Sequence, residues 1–206
     1  VKEIEQCLGV FRASVSTWIR DVPLGPEQRS RLIERIRLGP VIAGERKAAA
    51  AREVRRGYQE EGRRLLHERG PSYAAGCMLY WAEGAKTRNT VKITNSDPEV
   101  LACFLRFLRE HFGVSDNRLN IRCNLFADHL QRQREIEDFW LTHLGLPRTC
   151  LRKSMVNVYS KYSQKKRANK LPHGTCALVV HNSRIVQTIY GSIQEYGGFE
   201  RPEWLD

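Results

Sequence analysis

The chain has 206 residues, of which 28 % are charged and 41 % belong to the hydrophobic set, and its formal net charge is +11. That is room for one sizeable core, or one core and a small satellite, while no stretch approaches the roughly 20 apolar residues that span a bilayer, so a membrane partner is not expected. A charge this positive seeks polyanions, and nucleic acid is the commonest one inside a cell. The opening, "VKEIEQ", is polar and does not read as a signal peptide. Six cysteines stand singly at positions 7, 77, 103, 123, 150 and 176. None forms a CxxC pair, which argues against a zinc ribbon. Several sit inside apolar runs, as buried free thiols do, which predicts a reducing, cytoplasmic and nucleoid-associated setting.

The first elements are two short helices. In "VKEIEQCLGVFRASVSTWIR", Ile4 and Leu8 lie one helical turn apart, Gly9 follows, and a second pattern turns Val15 and Trp18 or Ile19 inward. Glycine suits the break because the first helix must end in a left-handed conformation. The stretch resembles the helix-turn-helix family in this spacing and in its turn glycine. It departs at Glu5, where that family usually has a small residue, and the first helix of a three-helix unit would lie before Val1. The resemblance implies a reading helix over about residues 12–20. Its outward Arg12, Ser14, Ser16, Thr17 and Arg20 are suited to base edges and phosphates in a major groove. The alternative is a helical hairpin packed on the rest of the chain.

Residues 25–70 read as a basic helical linker rich in Ala, Arg and Glu, with a thin apolar stripe through Leu32, Ile33, Ile36, Val54, Tyr58, Leu65 and Leu66. Gly39-Pro40 is expected to break it, since proline lacks a donor and disfavours helix in the residue before it. Such a helix would be solvated, or would lie partly on a partner or on DNA phosphates.

A second unit is predicted over residues 71–198, with 199–206 as a tail. "GPSYAAGCMLYWAEGAK" gives a helix over about 73–83 with Ser72 as its cap. Ala74, Ala75, Gly76, Cys77 and Ala82 are small enough to let another helix approach, so the helix reads as a helix–helix seam. It ends on an acid, Glu83, followed by Gly84. Helix C-termini favour positive charge, so something must compensate the carboxylate, and a divalent metal would do so. "TVKITN" is a strand, and Ser96 or Asp97 caps a helix from Pro98 that buries Leu101, Phe104, Leu105 and Leu108. "RLNIRCNLF" alternates apolar with polar residues, as a half-buried strand does. An amphipathic helix over 128–144, the strands "CLRKSMVNVYS" and "GTCALVVHN", and a closing helix "SRIVQTIYGSIQEYG" complete an α+β unit with one sheet.

"LYWAEG", the basic turn "AKTRN" and "VKITNSDPEVLACFLRFLREHFGV" together resemble the LAGLIDADG homing-endonuclease family, over roughly residues 73–197 with the first third the most distinctive. The resemblance implies a motif helix ending in an acid–glycine pair, a mixed or antiparallel curved sheet that lies in the major groove, and packing helices. Only one acid–glycine motif of this kind is present, so it implies a homodimer through helix 73–83. Glu83 of each copy would then hold a divalent metal, Mg²⁺, over the scissile phosphates of double-stranded DNA. A basic residue near the phosphate is also implied: Lys170 in "NKLPHG", or else Lys86. The DNA-facing set implied by the fold is Lys86, Arg88, Lys92, Arg118, Arg122, Arg152 and Lys153, with Lys161, Lys165, Lys166 and Arg167 in the acid-free segment "SKYSQKKRANK". That segment interleaves Tyr159 and Tyr162, and its alternative is a solvated hairpin loop. Glu83 stands where Asp is more usual, Trp81 is bulky near the seam, and helix 128–144 is additional to the pattern.

Two readings remain. One is a metal-dependent endonuclease acting as a dimer. The other is a non-cleaving helix-turn-helix transcription regulator with a LAGLIDADG-derived domain, of the kind in which bacterial regulators combine the same two parts in the opposite order. A structural protein with an accidental motif is a third and blander possibility. No HExxH pair and no phosphate-binding GxxxxGK[ST] loop is present, which argues against a zinc site and against an NTPase.

Overall fold

The structure, a computed structural model, describes residues 1–157 and 171–206. Among these the chain forms seven α-helices and one four-stranded mixed sheet, an α+β arrangement, and divides into two compact units, residues 1–50 and 51–206. No described helix is long and apolar enough to cross a membrane.

In the first unit, α1 (Lys2–Leu8) stops at Gly9, whose φ of 64° is the left-handed conformation expected of the turn, with its N–H donating to the Glu5 carbonyl. α2 (Arg12–Trp18) follows. Val15 is fully buried, but Ile4, Leu8, Trp18 and Ile19 stay exposed, contrary to the inward placement that their spacing predicts. Helices of seven residues make barely two turns each, too little surface for both apolar stripes to cover one another.

Helix α3 runs Pro26–Glu68 with Pro40 inside it, so the expected break at Gly39-Pro40 does not occur. Proline removes the bond to the Ile36 carbonyl at a cost of about 3 kcal/mol. Every residue from 26 to 50 is exposed, so water can hydrate that carbonyl. The linker expected over 25–70 also differs in its second half: residues 51–68 belong to the second unit, with Gln59 and Gly62 buried and Leu65 packed against the core.

That packing is a close crossing of α3 with α7 (Ser183–Gly197). A Cβ added to Gly62 would lie 1.9 Å from the Thr188 carbonyl oxygen, and one added to Gly191 would lie 1.9 Å from that of Gln59. The two backbones therefore touch, and polar side chains close the seam. Gln59 donates to Gln187 and accepts from Gln194, and Ser192 donates to the Gly62 carbonyl at 2.8 Å. The last residues are not a free tail. Trp204 stacks on Tyr190 with centroids 4.4 Å apart, and the Leu205 carbonyl accepts from Arg55 Nε at 2.6 Å.

The sheet order is β1 (Val91–Asn95), β4 (Thr175–Val180), β2 (Leu119–Phe126), β3 (Met155–Asn157). β4 is antiparallel to both neighbours, and β2 and β3 pair in parallel. Helices α4 (Pro71–Glu83), α5 (Pro98–Phe112), α6 (Gln133–Leu144) and α7 share one core with the sheet's inner residues Val91, Ile93, Ile121, Cys123, Leu178 and Val180. α5 is capped by Asp97, whose carboxylate accepts from Glu99 N–H, and it buries the four residues expected together with Phe107. α4 begins on Pro71 behind Gly70. Ser72 is not its cap, and its hydroxyl lies 3.3 Å from His111 Nε2 instead.

Gly191→Ala pushes α7 off α3. It is expected to destabilise the chain by about 1–3 kcal/mol, as overpacking a tight contact does, visible as a lower urea midpoint with an unchanged m-value. A midpoint equal to that of the parent chain would mean that the helices do not meet at this glycine.

Candidate nucleic-acid interface

Alternation along the strands sends one set of side chains into the core and the other outward. The outward set is ordered by register. Lys92 of β1 and Asn120 of β2 flank Val179 of β4, and Thr94 and Arg122 flank Ala177. Small residues on the central strand between long ones on its neighbours make a trough. The result is a groove of about 680 Å³ whose lining includes Lys92, Asn120, Arg122, Asn124, Arg152 and Lys153. Among the described residues no Asp or Glu lines it, and these four cations form no ion pair. The nearest polarizable partner of Arg122 is Met155, with Nη1 3.6 Å from the sulfur.

Arg152 and Lys153 precede β3, and α6 holds their segment in place. Glu137 of α6, only 8 % exposed, accepts from Ser154 Oγ at 2.7 Å, from Gln133 Nε2 at 2.8 Å and from Arg148 Nη1 at 3.2 Å. Arg148 also reaches Asp138. On the other side Arg152 N–H donates to the Ile121 carbonyl at 2.8 Å, and its Nε donates to Asn120 Oδ1. Burial pushes the Glu137 carboxyl up, but the bonds from Ser154, Gln133 and Arg148 outweigh it and leave the group below its ordinary range. Helix α6 therefore anchors the segment that carries the groove's second pair of cations. Sequence reading missed Glu137 and Ser154 because their pairing spans a loop and carries no local signature.

The acid–glycine end of α4 is arranged differently from expectation. Glu83 is exposed and accepts from Asn95 Nδ2 at 3.1 Å. Lys86 turns back, its ammonium donating to the carbonyls of Trp81 at 2.8 Å and Gly84 at 2.6 Å, and lies 5.6 Å from the centre of the Tyr80 ring. Burial, then the charge of Arg201, lower its pKa, with Glu83 acting in the opposite sense. The positive charge that a helix C-terminus favours is thus supplied by Lys86, which leaves it committed to carbonyls rather than free for a phosphate. Gly84 is extended, with φ −78° and ψ 145°. It is required by proximity, because a Cβ there would meet the Tyr80 ring at 2.4 Å.

The small residues of α4 divide. Gly76 lies against Phe107 and Cys77 is buried in the core, so neither belongs to an outer seam. Ala75 and Ala82 are exposed, and Ala74, Met78 and Leu79 are half-buried, leaving a narrower outward stripe. Trp81 leans on Phe199 at 5.4 Å. As a metal site, one chain provides a single carboxylate. The amide oxygen of Asn95 is already bonded to Asp97 N–H, and among the described residues no group of three or more His, Cys, Asp or Glu could hold an ion. The donor set fits a divalent ion only if a second copy adds its own Glu83.

The remaining expected contacts fall in several places. On α2, Arg12, Ser16 and Thr17 are exposed while Ser14 is half-buried, Arg20 is exposed in the turn after the helix, and the Thr17 hydroxyl donates to the Ala13 carbonyl at 3.0 Å. Arg88 is exposed but outside the groove lining, and Arg118 lines a separate cavity. Lys161, Lys165, Lys166, Arg167 and Lys170, with Tyr159 and Tyr162, lie outside the described residues. Comparison with family models, curated proteins and solved structures finds no match.

Glu137→Gln is expected to cost about 1–3 kcal/mol at neutral pH, the usual loss when a buried, charge-assisted set of hydrogen bonds is weakened. Because the folded-state pKa lies below the unfolded one, this contribution is complete above about pH 4.5 and is lost as the pH falls through the lower folded value. The gap between the stability curves of parent and variant should therefore narrow as the pH is taken down below about 4.5. A gap that stays constant down to full protonation of the carboxyl would remove it from this role.

Proposed function

We propose that this chain is a DNA-binding protein whose second unit receives the duplex in the groove on the open face of its sheet. The observation that carries the reading is the groove itself: four cations, Lys92, Arg122, Arg152 and Lys153, interspersed with Asn120 and Asn124, without an acid. Arginine and lysine neutralise phosphates, and asparagine can pair with adenine edges, so the face combines backbone-positioning groups with base-reading ones. The net charge of +11 agrees with a polyanionic partner. The exposed Arg12, Ser16 and Thr17 of α2, with Arg20 just after it, would add a helix-turn-helix contact. The resemblance of residues 73–197 to the LAGLIDADG family, most distinctive in its first third, supports the same assignment, as a non-cleaving binder that keeps the fold.

A second reading is favoured by one observation, the exposure of Glu83 at the end of a helix with an outward Ala75 and Ala82. Two copies pairing along that stripe would bring two carboxylates together, and the chain would be a dimeric Mg²⁺-dependent endonuclease. A divalent ion held there would supply an activated water and charge stabilisation at the leaving oxygen. The chain's own contribution would be to orient each Glu83 through Asn95 and to fix the turn through Lys86.

Two measurements test these readings. Arg122→Ala combined with Lys153→Ala is expected to weaken binding to a random-sequence duplex and to reduce the slope of log K against log salt by about 2, near 0.9 per phosphate contact. An unchanged slope in fluorescence anisotropy would take the groove away from the phosphates. Plasmid incubated with the chain and Mg²⁺ examines the second reading. Nicking that disappears in Glu83→Gln, with duplex affinity retained, supports the nuclease, whereas nicking that survives the substitution takes Glu83 out of it.

A further inference from the structure

Behind the end of the sheet where β2 begins and β4 ends lies a second cavity, of about 340 Å³, unrelated to the groove. Three arginines reach it from three different segments: Arg69 after α3, Arg118 before β2 and Arg184 in the first turn of α7. Its one carboxylate, Glu61, is already held by Arg184 through two bonds, of 3.1 and 2.6 Å. Arg69 spends one donor on the His111 carbonyl at 2.7 Å and rests over Tyr73 at 5.4 Å, which fixes its plane and leaves its other donors available. The guanidinium of Arg118 makes no hydrogen bond or ion pair among the described residues, its backbone N–H alone donating to the Ser115 carbonyl at 3.0 Å. Two guanidinium charges are therefore left without a counter-charge at one concavity. Like charges held this way repel one another, and a bound oxyanion removes the penalty. The opening turn of α7, with Asn182 and Ile185 at the wall, adds the partial positive charge of a helix start. Leu65, Phe112, Val114 and Ile185 supply an apolar side, and the space exceeds what a bare phosphate fills.

We propose that this cavity is a binding site for the phosphate group of an organic phosphate of about nucleotide size, with Arg118 and Arg69 as its principal donors. The phosphate belongs either to a free nucleotide or to a nucleic-acid strand, and both present the same oxyanion beside an apolar body. The site stands independently of the groove. His111 is its reporter. Burial, then the charge of Arg69, lower the pKa of its ring, with Glu110 opposing, and its Nε2 faces the Ser72 hydroxyl at 3.3 Å.

The experiment follows the His111 ring of the full chain by NMR while inorganic phosphate is added at constant ionic strength, with chloride as the reference salt. Saturable binding is expected, with the titration midpoint of His111 moving up as the anion offsets Arg69. Arg118→Gln should weaken phosphate about tenfold, the usual effect of losing one charge-assisted bond. Arg134→Gln, which removes the same charge from an exposed position on α6, should leave phosphate binding unchanged. A response equalled by chloride, or an affinity unaltered in Arg118→Gln, overturns the proposal. The source of the phosphate is then read by competition. Displacement by a nucleoside monophosphate assigns a free ligand, displacement by a duplex lacking terminal phosphates assigns the strand backbone, and failure of both to displace overturns the organic-phosphate assignment.

Discussion

Strand β4 is the constraint on which the second unit depends. It is hydrogen-bonded on both sides, to β1 and to β2, so its register fixes theirs. Cys176, Leu178 and Val180 point into the core while Ala177 and Val179 point out. A slip of one residue would exchange these sets and drive the larger apolar side chains into water. The same register lines Lys92, Asn120 and Arg122 up across a low central ridge. Core packing and the shape of the groove are thus two consequences of one alignment, and the basic face cannot be rearranged without unmaking the core.

Four like charges on one open face disfavour the folded chain, modestly so because water screens exposed groups. The fold sustains them by anchoring their backbones rather than by pairing their heads. Glu137 is placed to hold the Arg152–Lys153 segment through Ser154 and Arg148, yet it does not touch the groove cations themselves. An acid one turn nearer would have neutralised the surface it now supports. With Glu137 buried beneath the segment and no acid among the described lining residues, the face is left available to a polyanion.

Much of this was legible in the residues because it depends on local chemistry. The alternation in "RLNIRCNLF", the Asp97-Pro98 start of α5 and the left-handed glycine after α1 each specify an element within a few positions. What was not legible depends on distant partners. Gly62 and Gly191 are 129 positions apart and carry no pattern until their helices cross. Trp204 joins the core only because Tyr190 leaves a ring face for it. Pro40 was misleading for a different reason: the rule that proline ends a helix assumes that the freed carbonyl must be satisfied by protein, and at an exposed position water can satisfy it. In the candidate site, the outward faces of β1 and β2 could be read from alternation, whereas Glu137 and the turned-back Lys86 could not.

Lys86 also alters the argument from which a metal was expected. An acid at a helix C-terminus meets the negative end of the dipole, and that conflict by itself calls for a cation. The ammonium of Lys86 already lies on those carbonyls, with Glu83 close enough to act on its titration. The end of α4 is therefore compensated within one chain. If two copies paired along α4, their carboxylates would approach as like charges, an interaction of about 4 kcal/mol at 4 Å near a protein surface. Each carboxylate, however, would arrive with its own lysine and with an asparagine donor. Pairing through this helix thus does not require an ion between the chains, and a metal-free dimer that binds DNA without cutting it is physically self-consistent. Cleavage would ask for more: the Glu83 carboxylate would have to exchange its bond from Asn95 for a metal ligand role, against a neighbour that already balances its charge.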